Sequence, residues 1–253
     1  MTSGAPSSAA TVTFRFYEEL NDFLPPARRK REFSVACANA ATAKHMIEAL
    51  GVPHTEVEVV LVNGESVGFD RVLRDGDRVA VYPKFEALDV TPLLRVREAP
   101  LRTTRFVADA HLGGLARLLR LTGFDTLYEN GCSDAQIELR AREEGRIVLT
   151  RDRELLKRRG ITHGCFVRAL RPREQLREVI TRLDLSRSLR PFSRCLACNE
   201  LLAPVDKDAV YDRLPPDVRD RHERFTACRG CGRIYWEGSH WRRMRAIVEG
   251  FGR

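Results

Sequence analysis

Apolar and polar residues alternate from the start of the chain. In TVTFRFY, residues 11–17, Val12, Phe14 and Phe16 share one face and Thr13 and Arg15 the other, a period of two that predicts a strand. In ATAKHMIEAL, residues 41–50, Ala43, Ile47 and Leu50 fall at helical spacing, and Gly51 follows as a stop signal. EVEVVLVNGESV then places an Asn63-Gly64 turn between two strand-like runs, the signature of a hairpin. Asp75-Gly76-Asp77 precedes a closing strand, RVAVYP. Strands, one helix and a hairpin within residues 11–86 predict a small α+β domain. Residues 1–10 read as a disordered lead-in, and residues 87–104, with two prolines and no period, as a linker.

From residue 105 the pattern changes to strand and helix in turn. RFVADA, FDTLYE, IVLT and GCFVRAL read as strands. LGGLARLLRLTG, SDAQIELRAREEG, DRELLKRR and PREQLREVITRLD read as the helices between and after them. Repeated βα units of this length predict an α/β domain with a parallel sheet flanked by helices over residues 105–191.

Charge divides the chain in the same place. Residues 1–86 carry a net charge of −2 and residues 87–253 a net +10, within an overall +8. A polyanionic partner is therefore expected for the second part, although an arginine-rich composition alone would give the same figure. No run of about 18 apolar residues is present, and the N-terminus has no basic start followed by an apolar block. The expected location is the cytoplasm, with no membrane partner.

Seven cysteines fall into two groups. Cys37, Cys132 and Cys165 are isolated and read as core or incidental. Cys195-x-x-Cys198 and Cys228-x-x-Cys231, 29 residues apart, have the ligand spacing of one tetrahedral zinc site of ribbon type. Four thiolates fill the coordination shell, so this zinc is expected to be structural. Residues 192–253 would form the ribbon and a basic tail.

Three carboxylates stand near expected strand ends: Asp109 after RFVA, Asp134 at the start of SDAQ, and Asp152 just past IVLT. In parallel α/β sheets, sites collect outside the carboxyl ends of the strands. Each aspartate also has a purely local explanation. Ser133 and Gln136 make a capping box in which Asp134 favours the helix dipole, Asp152 is a possible N-cap, and Asp109 a turn residue. Three carboxylates on one edge would repel one another unless a cation sat between them. Oxygen donors of this kind suit Mg²⁺ or Mn²⁺, and such a site can activate water for phosphodiester displacement.

Two resemblances follow from these residues. VLVNGESVGFDRVLRDGDRVAVYP resembles the β-grasp of ubiquitin-like sulfur-carrier proteins, but the strand runs on into PKFEAL where those carriers end in a free Gly-Gly tail. The segment is therefore read as a binding or structural module. FVADAHLGGLARLLRLTGFDTLYENGCSDAQIELRAREEGRIVLTRDREL resembles the PIN-like ribonuclease family named for the C-terminal domain of the mutator-seven exonuclease, and the resemblance continues through the cysteine knuckles. It implies metal-dependent RNA cleavage, with Asp109, Asp134 and Asp152 as ligands of Mg²⁺ or Mn²⁺. Glu154, two residues after Asp152, is a candidate further catalytic acid, whereas Asp125 in G-F-D-T begins a strand and is as readily structural.

The expected partner is RNA, including tRNA or another structured RNA. Arg117, Arg151, Lys157, Arg158, Arg229, Arg233, Arg242 and Arg243 are the candidate contacts, because arginine suits phosphate and the interleaved Tyr235, Trp236 and Trp241 can stack on bases. The same aromatics would equally serve as ribbon core. Two rivals stand beside the ribonuclease: an RNA- or tRNA-binding adaptor with a weak acidic site that recruits a protein partner through its β-grasp part, and a sulfur-transfer accessory.

Overall fold

The computed structural model describes residues 10–83, 95–96 and 104–250. The expected lead-in, save its last residue, and most of the expected linker lie outside these residues. The chain packs as two compact units: residues 1–102 with 152–166, and residues 103–151 with 167–253. Among the described residues no helix is long and apolar enough to cross a membrane.

The first unit is a β-grasp. Its elements are β1 (Ala10–Phe16), β2 (Phe33–Cys37), α1 (Ala43–Ala49), β3 (Val59–Val62), β4 (Glu65–Val67) and β5 (Arg78–Tyr82). The sheet order is β2-β1-β5-β3-β4, with β1 parallel to β5 and the other neighbours antiparallel. The alternation of β1 becomes a buried face of Val12, Phe14 and Phe16, which packs with Ile47, Val60 and Val79 under the helix. Thr42 caps α1 by accepting a hydrogen bond from the His45 amide at 3.2 Å. The β3–β4 hairpin turns on Asn63 and Gly64, both with positive φ (53° and 89°), as a tight turn matched to strand twist requires.

In the second unit β6 (Arg105–Ala108), α2 (Gly113–Leu121), β7 (Asp125–Tyr128), α3 (Asp134–Glu144) and β8 (Ile147–Thr150) follow in turn. The strands are parallel in the order β7-β6-β8. The chain steps one way through α2 and back the other through α3, so right-handed crossovers put these helices on opposite faces. All four residues of β8 are buried, as expected of a strand covered on both sides. Leu115, Leu119, Ile137, Val148 and Leu149 are fully buried.

Residues 152–166 then pack in the first unit. The expected helix DRELLKRR is only the single turn α4 (Arg153–Leu156), followed by β9 (Gly164–Phe166). Glu56 accepts the Phe166 amide at 2.6 Å, His54 meets the Ile161 carbonyl at 2.9 Å, and Arg153 lies over the Phe23 ring at 5.0 Å. These residues hold the segment to the β-grasp.

The chain returns with α5 (Pro172–Arg182), which packs on α2, and enters the cysteine-rich part. There β10 (Leu202–Val205), α6 (Lys207–Val210), α7 (Pro216–Arg221), β11 (Phe225–Cys228), β12 (Ile234–Trp236) and α8 (Ser239–Glu249) follow. The antiparallel sheet β10-β11-β12 covers a small core of Val210, Leu214, Val218 and Phe225. The loop before β10 runs along the end of α2: Arg190 and Phe192 donate their amides to the Thr122 and Leu121 carbonyls at 2.9 Å each. Gly123, at φ +98°, lies so close to the Arg190 carbonyl that a Cβ there would overlap it.

Candidate functional site

Asp109 is the most constrained of the candidate acids. It follows β6 and is 8% exposed. Its Oδ1 accepts the Ala110 amide at 2.6 Å and its Oδ2 accepts the Thr150 hydroxyl at 2.6 Å. Thr150 is the last residue of β8, the strand beside β6, so the carboxylate is tied across two adjacent strand ends. Tyr128, at the end of β7, donates to the Ala110 carbonyl at 3.0 Å and packs against Gly113 so closely that a Cβ would strike its hydroxyl. The start of α2 is thereby held to the same three strand ends.

Asp134 occupies the first turn of α3, exposed, behind the complete Ser133–Gln136 capping box. Asp152 stands two residues after Thr150 and caps α4, its Oδ1 accepting the Glu154 amide at 2.8 Å. The capping roles anticipated for both neighbourhoods are present. Glu154 is exposed and paired with Lys157 at 2.7 Å, so this acid and this base engage each other. Among the described residues, the group of three or more His, Cys, Asp or Glu gathered tightly enough to hold a metal is the set of four cysteines.

Asp125 opens β7 at the other end of the sheet, where it joins the cysteine knuckle to the α/β domain. It pairs with Arg146 at 2.7 Å, accepts from Asn199 Nδ2 at 2.8 Å, and lies 3.8 Å from Arg194. Burial alone would raise its pKa, but the bonds from Arg146 and Asn199 and the charges of Arg146 and Arg194 hold it below the usual carboxylate value. Asn199 also accepts the Thr126 amide at 2.9 Å. Arg120, buried on α2, completes the clasp by donating to the Leu196 and Ala197 carbonyls at 3.2 and 2.8 Å and to the Thr126 carbonyl at 2.9 Å.

Cys195, Cys198, Cys228 and Cys231 are free thiols whose sulfurs all lie within 4.8 Å of one another. Cys198 and Cys228 are 3.2 Å apart, and Cys195 and Cys231 3.5 Å. Zinc–sulfur bonds of about 2.3 Å in a tetrahedron separate sulfurs by about 3.8 Å, so the set fits one zinc ion. Burial raises the Cys195 thiol, but bonds from the Tyr235 hydroxyl (3.1 Å), the Cys198 and Ala197 amides and Cys231 bring it down to about 6. Cys198, by contrast, is pushed up to about 12, chiefly by burial. Tyr235 is itself pushed up by burial and by Cys195, and so remains a donor to the sulfur.

The candidate RNA contacts are dispersed. Arg117 is exposed on α2, and Arg229 and Arg233 on the second knuckle. Arg242 and Arg243 are exposed on α8, and Arg151 is exposed just past β8. Arg158 is half-buried behind Lys157. The aromatics divide: Tyr235 serves a cysteine, Trp236 packs on the ribbon core, and Trp241 faces Phe192 with ring centres 5.1 Å apart. Sequence reasoning did not pick out Thr150, Tyr128, Arg120, Arg146 or Asn199. Each acts on a partner distant in the chain, and none has a spacing that marks it.

A β-grasp unit, a parallel α/β sheet flanked by helices and a four-cysteine cluster of zinc-ribbon kind together define a modular α/β protein. The chain belongs to the Mut7-C RNAse domain family, whose model matches residues 104–248, more than half of its length. The Mut7-C ubiquitin model matches residues 9–89. No curated protein matches. Two solved structures are similar: the crystal structure of H. volcanii small archaeal modifier protein 1 (21% identity, 30% of this chain and 99% of that one, TM-score 0.25) and that of SAMP1 from Haloferax volcanii (18%, 31% and 100%, TM-score 0.26). The family supports a ribonuclease-type function.

Proposed function

We propose that this protein is a Mg²⁺- or Mn²⁺-dependent ribonuclease that hydrolyses RNA phosphodiesters through Asp109, Asp134 and Asp152. The observation that carries this reading is the Asp109 carboxylate, buried to 8% exposure and aimed by the Ala110 amide and the Thr150 hydroxyl in a chain of a ribonuclease family. A buried carboxylate must be hydrogen-bonded, as this one is, and a charged group held so in a chain of this family is a functional-site candidate. Asp134 and Asp152 follow β7 and β8 as Asp109 follows β6. Their hard oxygen donors fit Mg²⁺ or Mn²⁺, and because Mg²⁺ keeps several of its waters, it does not need side chains packed as tightly as the four thiolates. When bound, such an ion activates water and neutralises the charge that develops on the phosphate.

The chain's own residues then divide the work. Thr150 orients Asp109, and Glu154 is the candidate fourth acid. Arg151, Lys157 and Arg158 bind phosphate beside Asp152, while Arg117, Arg229, Arg233, Arg242 and Arg243 hold the strand elsewhere. In this proposal residues 105–191 carry the chemistry and residues 192–253, stapled by one structural zinc, grip RNA. Residues 11–86 recruit a protein partner, and the protein works in the cytoplasm.

The test is cleavage of labelled single-stranded and structured RNAs by wild type and Asp152→Asn, with and without Mn²⁺. The proposal expects metal-dependent cleavage by wild type and a loss of at least about 100-fold in the variant. Equal cleavage by the two proteins, or none by either, refutes it and leaves the RNA-binding adaptor.

A further inference from the structure

Two adjoining cavities between the ribbon and α8 have no part in the chemistry above. The larger, about 870 Å³, is walled by Phe192, Trp236, Trp241 and Met244. The smaller, about 310 Å³, is lined by Arg117, Arg233 and His240 and shares Tyr235, His240 and Met244 with the first. The larger compartment combines these aromatic and apolar walls with charged side chains of both signs, and the smaller is cationic.

The cations are available. Among the described residues, neither Arg117 nor Arg233 has an ion pair, and both are exposed. Of the three acids around the larger cavity, Glu223 is paired with Lys207 at 2.6 Å, and Asp206 and Glu237 are exposed.

Phe192 adds a separate observation. It is a bulky residue in the left-handed region, at φ +60°, a conformation that non-glycine residues rarely adopt and that costs about 1–3 kcal/mol. Its amide bond to the Leu121 carbonyl holds it there, with its ring 5.1 Å from Trp241 and tilted by 30°. Strain of this kind persists where the surroundings over-determine the backbone, and it clusters at functional sites.

We propose that these joined cavities are an anchor for one unstacked nucleotide of a single-stranded RNA, with the base against the Phe192–Trp241 wall and a flanking phosphate on Arg117 and Arg233. Aromatic faces accept any base, and the guanidinium fork matches phosphate, so the site recognises a strand without reading its sequence. Arg117 stands on α2, the helix that begins at Gly113, four residues after Asp109. The anchor therefore sits at a fixed distance from the Asp109 carboxylate, and cleavage would fall at a fixed offset from the bound nucleotide. This inference rests on RNA being the ligand but not on cleavage.

The test reads binding alone. The full chain, without added Mg²⁺ or Mn²⁺, is titrated with a labelled single-stranded oligoribonucleotide, the same sequence as a duplex, and a free nucleoside monophosphate. Trp241→Ala and Arg117→Ala are each expected to weaken single-strand binding about tenfold, and Trp241→Phe to restore it to within about threefold. Arg117→Ala should also lower the slope of log affinity against log salt by about 0.7, one phosphate contact. Zinc content and melting temperature equal to wild type show that the variants are folded, and Arg117, being exposed, guards against loss of fold at Trp241. Unchanged single-strand affinity in both folded variants overturns the proposal. So does a duplex that binds as tightly and responds to the same substitutions, or a monophosphate that binds as tightly as the strand. Cleavage by Asp109→Asn equal to wild type would sink the ribonuclease reading and leave these binding results standing, so the two failures are distinguishable.

Discussion

Asp125→Ala should uncouple the cysteine knuckle from the α/β sheet, at a cost that can be worked out from its surroundings. The carboxylate faces Arg146 at 2.7 Å, and Arg146 is only 5% exposed at its side chain. Two unit charges about 4 Å apart attract by about 4 kcal/mol at an effective dielectric of about 20. Desolvation offsets most of that in the intact pair. Removing Asp125 nevertheless leaves Arg146 its pair with Glu144 at 2.7 Å and its bond to the Phe106 carbonyl at 3.1 Å, so the cost falls below about 3–5 kcal/mol, that of a wholly unpaired buried charge. The alanine also removes the acceptor for Asn199 Nδ2 at 2.8 Å, a charge-assisted bond of about 1.5–3 kcal/mol that is not independent of the first. A total loss of about 2–3 kcal/mol is expected.

Urea unfolding followed by tryptophan fluorescence reads this loss, because Trp236 and Trp241 both lie in the second unit and are the chain's two tryptophans. Asp125→Leu combined with Arg146→Met should recover part of it, since the buried guanidinium is then removed along with its partner. The folded pKa of Asp125 lies below its ordinary value, so the pair's stabilisation is fully present above about pH 4 and fades as the pH falls through the depressed pKa. The gap between wild type and Asp125→Ala should therefore narrow in acid. A cost below about 1 kcal/mol at pH 7, a gap that does not change with pH, or a double variant as unstable as the sum of the singles would refute the reasoning.

Three further outcomes are expected. Chelation of zinc, or Cys228→Ser, should abolish amide-exchange protection across residues 195–236 while residues 10–82 keep theirs; equal loss in both would contradict a metal confined to the ribbon. Thr150→Val leaves one oxygen of the buried Asp109 carboxylate without its donor (2.6 Å), which should cost about 1–3 kcal/mol and slow RNA cleavage more than tenfold; cleavage at the wild-type rate would show that Asp109 needs no such orientation. A fragment lacking residues 1–86 loses the Glu56–Phe166 and His54–Ile161 bonds, so residues 152–166 should exchange freely in it; persistent protection there would mean that the segment is held by something else.

The parts of this molecule that can be read from sequence are those decided by neighbours a few residues apart. The period of two in Val12, Phe14 and Phe16, the Asn63-Gly64 turn, the Ser133–Gln136 capping box and the two C-x-x-C knuckles are all local patterns, and each takes the form expected. The long-range polar contacts are not legible. Asp109 meets Thr150 across 41 residues, Arg120 meets Ala197 across 77, and Asn199 meets Asp125 across 74. Such pairs leave no periodicity, because one side chain at each end suffices. Lys157 shows the opposite case: its i,i+3 spacing from Glu154 is visible in the sequence, and the pair forms at 2.7 Å.

For the candidate acids, capping and ligation are not rival roles. A carboxylate accepts about four hydrogen bonds or cations through its two oxygens, and a cap uses one of these directions. At Asp109 the Ala110 amide and the Thr150 hydroxyl occupy one direction on each oxygen, which fixes the plane of the carboxylate and leaves a second direction on each. At Asp152 the Glu154 amide occupies one direction on Oδ1. Backbone amides at the start of a helical turn cannot rotate away, so an acid bound to them is oriented before any ion arrives, and less entropy is lost when one binds. The same amide that makes Asp152 look like an ordinary cap is thus what would suit it to hold a metal. A variant that keeps the cap but removes the charge, Asp152→Asn, tests the second role without disturbing the first.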